Sequence, residues 1–223
     1  MATRRQIDAK WSIWRQLGVY MASIWSQFGI NVNMYNKEDQ KQLLALARKS
    51  ILHYLKKKST LIENPKDYSP KLSEKRSTFV TLTIDGGLRG CIGHIEPFLP
   101  LYEDIIDNSI SAAFMDPRFY PLTDDEYEKI QIEISILTLP KPLKYKDSDD
   151  LLNKLKLGKD GVIISKNGYS ATFLPQVWEQ IKTPEDFLSH LCVKAGLSAY
   201  EWKKGDLKVE IYEVESFDEK SIC

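Results

Sequence analysis

The hexapeptide Leu88–Gly93, with the sequence LRGCIG, contains the residues of this chain best suited to chemistry. Side chains of a β-strand alternate between its two faces, so Arg89 and Cys91 are predicted to share one face. Leu88 and Ile92 are predicted to share the opposite face, which is the natural core face. A nearby guanidinium lowers the pKa of a thiol and favours the reactive thiolate. The pattern therefore indicates a nucleophilic or redox-active Cys91 with Arg89 as its activator, or Arg89 as the holder of an anionic group.

The two glycines of the hexapeptide suggest a second role. Gly90 and Gly93 have no side chains, so a ligand could approach the backbone amides closely and be held in an anion cradle. The residues alone leave two simpler interpretations open. A free cysteine often fills space in a core, and glycines in a hairpin often mark only a β-bulge.

No histidine is predicted to act as a base for Cys91 or to bind a metal with it. His94 is three residues further along and faces away from Cys91 in a continuing strand, so a local Cys–His dyad is not expected. A zinc site that adds His190 and Cys192 is disfavoured, because residues two apart on a helix point about 200° apart around its axis. No metal site and no cofactor are predicted.

Glu133 is the first of two further candidates. In the stretch 130–138 (IQIEISILT), isoleucines occupy every second position, which predicts a strand with one buried face. Glu133 lies on the other face between Gln131 and Ser135. It is a candidate acid or base and a candidate partner for Arg89; the alternative is an ordinary solvated strand residue.

The second candidate is the charged pair Asp116 and Arg118. Pro117 and Pro121 make the surrounding loop rigid and irregular, because proline interrupts both helices and strand ladders. The favoured interpretation is a structural ion pair that fixes this loop. Ligand binding, or an acid–base role for Asp116, is the alternative.

The elements that would position these residues alternate between helices and hairpins. Strands are predicted at 78–84, 88–95, 130–138 and 207–214, with turns at Asp85-Gly86-Gly87 and Asn167-Gly168. Helices are predicted at 37–57, 101–115 and 147–157 and after Thr183, with N-caps at Asn36, Thr123 and Thr183. The pattern predicts an α+β fold in which antiparallel sheets are flanked by helices.

Composition narrows the functional classes. Among 223 residues, 31 Lys and Arg balance 31 Asp and Glu, which argues against a dedicated nucleic-acid-binding protein. No apolar run has membrane-spanning length, and three scattered cysteines are typical of a reducing, cytoplasmic environment. Residues 1–33 are basic and rich in tryptophan with an amphipathic helical pattern, which favours a helix that packs on its own domain or lies outside the functional part of the chain; binding to a partner or a membrane surface is the alternative.

Several stretches together carry a family resemblance. They are LRGCIG (88–93), AAFMDPRFYPLT (112–123), IEISILTLP (132–140), GKDGVII (158–164), TFLPQVWEQ (172–180) and FLSHLCVKAGL (187–197). In this order they resemble the AMMECR family, also called AmmeMemoRadiSam system protein A, over about residues 36–217. Residues 1–33 would then be an N-terminal extension and 34–223 the AMMECR-like domain. The resemblance implies two lobes, the larger built from both chain ends and the smaller inserted in the middle, with the active site in a cleft between them.

The family resemblance does not fix an activity. It implies a cytosolic protein that shares a pathway with Memo-like and radical-SAM proteins, although three scattered cysteines do not have the spacing of iron–sulfur ligands. We expect an enzyme-like cleft centred on the hexapeptide, with Cys91 as nucleophile or redox thiol, Arg89 beside it, and Glu133 or Asp116 as acid or base. The expected binding residues are Leu88, Gly90, Ile92, Gly93, Asp116 and Arg118. The alternative is a non-catalytic binding or adaptor module for a peptide, a nucleotide or a partner protein.

Overall fold

The computed structural model describes residues 34–222, which form two compact units. Unit 1 contains residues 34–136 and 215–222, so both ends of the described chain contribute to it. Unit 2 contains residues 137–214. The helix predicted within residues 1–33 lies outside the described residues. Within 34–222, no helix is both long and apolar enough to cross a lipid bilayer.

Unit 1 begins with helix α1, Lys37–Lys57. The Asn36 side chain accepts the N–H of Asp39 at 2.9 Å, and the Asp39 carboxylate accepts the N–H of Asn36 at 3.3 Å. This reciprocal capping box satisfies two of the amides that a helix start leaves open. It confirms the N-cap predicted from the sequence.

The sheet of unit 1 is antiparallel where strands β1 to β3 pair. Strands β1 (Thr78–Ile84) and β2 (Gly87–Gly93) form a hairpin, and β3 (Gln131–Leu137) pairs with the other side of β1. Strand β8 (Val214–Asp218) completes the order β2-β1-β3-β8, so β2 is an edge strand. The turn residues Asp85 and Gly86 have φ angles of 51° and 79°, as a tight type I′ turn requires.

Helices cover one face of this sheet. Helix α2 (Leu101–Phe114) packs on β1 and β2, and α1 packs on α2. The contact with β2 is unusually close, because a Cβ added to Gly90 would lie 2.1 Å from the carbonyl oxygen of Ala112. Only glycine allows the helix backbone to approach the strand to this distance. The remaining elements of unit 1 are short: a 3₁₀ turn at Pro65–Asp67 and helices α3 (Asp124–Tyr127) and α6 (Glu219–Ile222).

Unit 2 has its own sheet and core. Its strands follow the order β4 (Lys141–Pro142), β7 (Lys208–Tyr212), β5 (Gly161–Lys166) and β6 (Tyr169–Phe173). Its helices are α4 (Ser148–Lys154) and α5 (Pro184–Lys194), with 3₁₀ segments at Pro175–Glu179 and Glu201–Lys204. Trp178 stacks on Phe187 with ring centroids 3.7 Å apart, at the centre of the apolar cluster.

The predicted α+β class with antiparallel sheets is confirmed. The single strand predicted at 207–214 is wrong. Strand β7 ends at Tyr212, and β8 starts at Val214 in the other sheet. Apolar residues occupy positions 207, 209 and 211 and then 212 and 214, so the alternation changes phase between Ile211 and Tyr212, where the chain leaves one sheet for the other.

Replacing Gly90 with alanine is expected to destabilise the protein by about 1–3 kcal/mol, because the added methyl group overlaps the carbonyl of Ala112. Urea unfolding measures this loss. Gly87→Ala is the matched control, since its Cβ would lie 3.4 Å from the nearest backbone atom. Equal midpoints for the two variants would contradict the close approach of helix and strand.

Candidate active site

Three polar side chains form a row across the sheet of unit 1. Cys91 on β2 lies opposite Thr81 on β1, and Thr81 lies opposite Glu133 on β3. Opposed residues share a face of a sheet, and at the strand spacing of about 4.8 Å the row is about 10 Å long. Its face is the one opposite to Gly90 and helix α2. The Thr81 hydroxyl donates to the sulfur of Cys91 at 3.3 Å.

The thiol of Cys91 is partly buried and is not activated by Arg89. Burial raises the pKa of Cys91 above its ordinary value. The Thr81 hydroxyl and the Arg118 guanidinium oppose this effect, while the carboxyl groups of Asp116 and Glu133 add to it. The sequence-based expectation of a thiol activated by Arg89 is therefore corrected to a thiol that holds its proton at neutral pH.

Arg89 instead binds the loop after helix α2 and the first turn of helix α3. Its guanidinium donates to both carboxylate oxygens of Glu126, at 2.8 and 3.0 Å, and to the carbonyl of Tyr120 at 2.8 Å. The guanidinium carbon lies 5.6 Å from the ring centre of Phe119. Nη1 is buried and has no hydrogen-bond acceptor among the described residues. Arg89 thus ties the loop after α2 to strand β2, and it does not pair with Glu133.

A β-bulge at Arg89 explains why its side chain points towards Glu126 and away from Glu133. Leu82 lies opposite Gly90, but the next residue, Thr83, lies opposite Leu88, so Arg89 has no partner on β1. An extra residue of this kind breaks the alternation of side chains along a strand.

The bulge also moves Leu88. Leu88 lies in register on the same side of the sheet as Cys91, so its predicted place on the core face is wrong. Ile92 follows the prediction and packs against the main core. The alternation thus holds after the bulge and fails before it.

Asp116 and Arg118 hold the main chain of Cys91 from both sides. The Asp116 carboxylate accepts the N–H of Cys91 at 2.9 Å, and the Arg118 guanidinium donates to its carbonyl at 3.1 Å. Arg118 also binds both oxygens of Asp116, at 2.9 and 2.6 Å. Burial works against ionisation of Asp116, but these donors outweigh it and lower its pKa. The pair is the structural ion pair favoured from the sequence, and it occupies the amide that an anion cradle would need.

The space beside the two glycines is filled by the protein itself. Gly90 faces the carbonyl of Ala112, and a Cβ at Gly93 would lie 2.3 Å from the ring of Phe79. An aromatic ring that covers a glycine on the neighbouring strand is a common packing solution. The expected approach of a ligand to these glycines is corrected to a packing role for both.

Glu133 has the most unusual electrostatic environment in the row. Its Oε1 is buried, and none of residues 34–222 hydrogen-bonds it. Burial, with a further contribution from the negative charge of Asp218 on β8, raises the pKa of Glu133 to about 8. The pKa of Glu133 is raised while that of Asp116 is lowered. Carboxyl groups whose pKa values are separated in this way are a common feature of acid–base sites.

Three residues of this arrangement were not predicted as functional from the sequence. Glu126 lies three residues after the N-cap Thr123, to which it is bonded while it also binds Arg89. Thr81 looks like an ordinary strand residue, and Asp218 is 85 positions away from Glu133 in the sequence. Hydrophobic alternation predicts which face each residue occupies, but it does not predict which strands are neighbours.

His94 belongs to a separate polar network beneath the sheet. Its Nδ1 lies 2.7 Å from a carboxylate oxygen of Asp104, which is fully buried. Asp104 also accepts the N–H and hydroxyl of Thr78 and the amide of Asn108. This network joins the end of β2 to α2. In the part of the chain that the structure describes, no group of three or more His, Cys, Asp or Glu could hold a metal ion.

The different roles of Arg89 and Arg118 lead to a paired prediction. Arg89→Met and Arg118→Met should each lower the free energy of unfolding by about 1–3 kcal/mol, because each removes charged hydrogen bonds. Only Arg118→Met should raise the pKa of Cys91, since Arg118 is the cation that acts on the thiol. The measurement is the rate of Cys91 alkylation by iodoacetamide against pH, quantified on the Cys91 peptide by mass spectrometry. A shifted midpoint in Arg89→Met would restore the activating role of Arg89.

Known proteins resemble this chain over most of its length. The AMMECR1 family model matches residues 44–217. Protein MK0488 of Methanopyrus kandleri is 41% identical over 191 residues, covering 82% of this chain and 89% of its own. Protein MJ0810 of Methanocaldococcus jannaschii is 41% identical over 180 residues, covering 78% and 86%. The crystal structure of uncharacterized protein PH0010 from Pyrococcus horikoshii has a TM-score of 0.70 and 39% identity, and covers 80% of this chain and 90% of that chain. This chain therefore belongs to the AMMECR1 family.

Proposed function

We propose that this chain is an enzyme whose active site is the row of Cys91, Thr81 and Glu133. The substrate is a small molecule that reaches the row at Cys91, which is only partly buried. Cys91 is the nucleophile at one end, and Glu133 is the acid or base at the other.

The environment of Glu133 is the observation that carries this proposal. A carboxyl group with a pKa of about 8 exchanges its proton near neutral pH, where general acid–base catalysis is most effective. A buried oxygen without a donor costs free energy, and proteins retain such groups most often at functional sites. A purely structural glutamate would be paired, as Glu126 is with Arg89.

The other predicted site residues have supporting roles in this proposal. Asp116 and Arg118 position Cys91 through its main chain, and Arg89 holds the adjoining loop. The inter-lobe cleft implied by the family resemblance stays a prediction, and the roles of Cys91 and Glu133 do not depend on it. A cytoplasmic location, a pathway shared with Memo-like and radical-SAM proteins, and the lack of a stable nucleic-acid partner likewise remain expectations.

A non-catalytic binding module is the second candidate function. The observation in its favour is the raised pKa of Cys91, because a thiol that keeps its proton is a poor nucleophile. In that case the row would recognise a peptide, a nucleotide or a partner protein through hydrogen bonds from the thiol, the hydroxyl and the protonated carboxyl.

Turnover of a metabolite pool separates the two functions. The full-length protein, Cys91→Ser and Glu133→Gln are each incubated with a mixture of small metabolites, which is then analysed by mass spectrometry. We expect the wild type to consume one compound, Cys91→Ser to leave it unchanged, and Glu133→Gln to act at least about a hundredfold more slowly. A compound that the wild type and Cys91→Ser both retain without any change of mass would favour the binding module.

The protonation of Glu133 also predicts how stability depends on pH. The folded state binds this proton more tightly than the unfolded chain, so the stabilisation is complete below pH 4.5 and is lost as the pH rises through about 8. Glu133→Gln imitates the protonated acid. The free energy of unfolding of this variant should equal that of the wild type near pH 5. Near pH 8.5 it should be higher by about 2 kcal/mol, a value that allows for the partial exposure of Glu133.

Urea unfolding at the two pH values provides the measurement. Glu128→Gln serves as the control, because Glu128 is exposed. If the difference between Glu133→Gln and the wild type is the same at both pH values, Glu133 does not hold a proton in the folded protein.

A further inference from the structure

Thr81 occupies the middle of the row and is itself buried, with 3% of its surface exposed. Its hydroxyl bonds the sulfur of Cys91 at 3.3 Å, and this thiol is its only side-chain partner among residues 34–222. A hydroxyl group donates one hydrogen bond and accepts up to two. Thr81 therefore has capacity for a second bond, on the side away from Cys91.

Glu133 is the residue on that side. It lies directly opposite Thr81 on β3, and opposed residues have Cβ atoms about 4.5–5.5 Å apart. From this distance a rotation of the glutamate side chain brings its carboxyl to the hydroxyl. Since no described residue hydrogen-bonds this carboxyl, the rotation breaks no existing bond.

We propose that Thr81 is a proton relay that connects the thiol of Cys91 to the carboxyl of Glu133. This inference rests on the proposed function, because it assigns the path by which the nucleophile loses its proton. In the structure the Thr81 hydroxyl donates to the sulfur, so the relay requires this hydroxyl first to turn to the Glu133 carboxylate while the Cys91 S–H donates to Thr81 Oγ1. The S–H bond and the Thr81 O–H bond break as new O–H bonds form at Thr81 and at Glu133. The products are a thiolate and a neutral carboxylic acid, with no other reactant consumed.

The strength of Glu133 as a base makes this transfer feasible. An ordinary carboxylate is too weak to take a proton from a thiol, whereas a carboxyl with a pKa of about 8 is a much stronger base, and the thiolate of Cys91 is the stronger base of the two. In the product, Thr81 donates to the sulfur, which is the direction of the observed hydrogen bond. A donated hydrogen bond stabilises the thiolate that forms.

Charged side chains act on both ends of the relay. Arg118 faces Cys91 and favours its thiolate, while Asp116 opposes it from the same loop. Asp218 on β8 faces Glu133 and favours its protonated form. These are the charged groups that act on the two ends of the row. The burial of Glu133 makes its carboxylate a stronger base and so lowers the free-energy cost of moving the proton from the thiol.

Alkylation of Cys91 in the full-length protein tests the relay. The rate with iodoacetamide is measured between pH 6 and 10 by mass spectrometry of the Cys91 peptide. The wild type should show a first rise with its midpoint near pH 8, as Glu133 loses its proton, followed by a second rise as the thiol itself ionises. Glu133→Gln should lose the first rise, and Thr81→Val should lose it as well, with rates at pH 8.5 lower by at least about tenfold.

The conservative variant Thr81→Ser is the matched control, because it keeps the hydroxyl and should keep the first rise. The double variant Thr81→Val with Glu133→Gln should be no slower than either single variant, since both interrupt one path. If Thr81→Val keeps the first rise and Glu133→Gln loses it, the relay is wrong but Glu133 still acts as a base. If Glu133→Gln keeps it too, the acid–base role in the proposed function fails along with the relay.

Discussion

The position of Cys91 depends on the two bonds that Asp116 and Arg118 make to its main chain. Strand β2 is at the edge of its sheet, where outward-facing N–H and C=O groups have no strand partner. A short loop supplies one acceptor and one donor instead, and the two charges neutralise each other at 2.6 Å. Because the backbone is held in this way, the side chain of Cys91 contributes nothing to the pairing and can face Thr81 across the sheet.

The salt bridges of the two arginines also affect the protonation of Glu133. Both arginines near the hexapeptide are bound to carboxylates of their own, Arg118 to Asp116 and Arg89 to Glu126. Neither forms an ion pair with Glu133, so burial dominates there and the carboxyl keeps its proton up to about pH 8. The row therefore combines a neutral thiol with a neutral acid near neutral pH. Such a pair is unreactive until the acid loses its proton or a substrate alters its environment, which protects the cysteine from indiscriminate alkylation.

Local signals in the sequence were sufficient for most of the fold. The cap at Asn36 and the turn at Asp85 depend on residues within a few positions, and the structure has both. The site was less predictable because its contacts are remote or irregular. The extra residue at Arg89 changes the face of Leu88 and directs the guanidinium to Glu126, and no periodic pattern contains this information. The raised pKa of Glu133 likewise depends on how completely the fold buries it.

Five of the six residues of LRGCIG have distinct roles in the structure. Gly90 admits the backbone of helix α2, Gly93 lies under the ring of Phe79, and Ile92 packs in the core. Arg89 anchors the neighbouring loop.

Cys91 differs from these four, since Asp116 and Arg118 hold its main chain and, among residues 34–222, its sulfur bonds only the hydroxyl of Thr81. The proposed function assigns this thiol, together with the Glu133 carboxyl that none of residues 34–222 hydrogen-bonds, to chemistry at the row. The glycines and the arginine then serve to hold the strand in place for it.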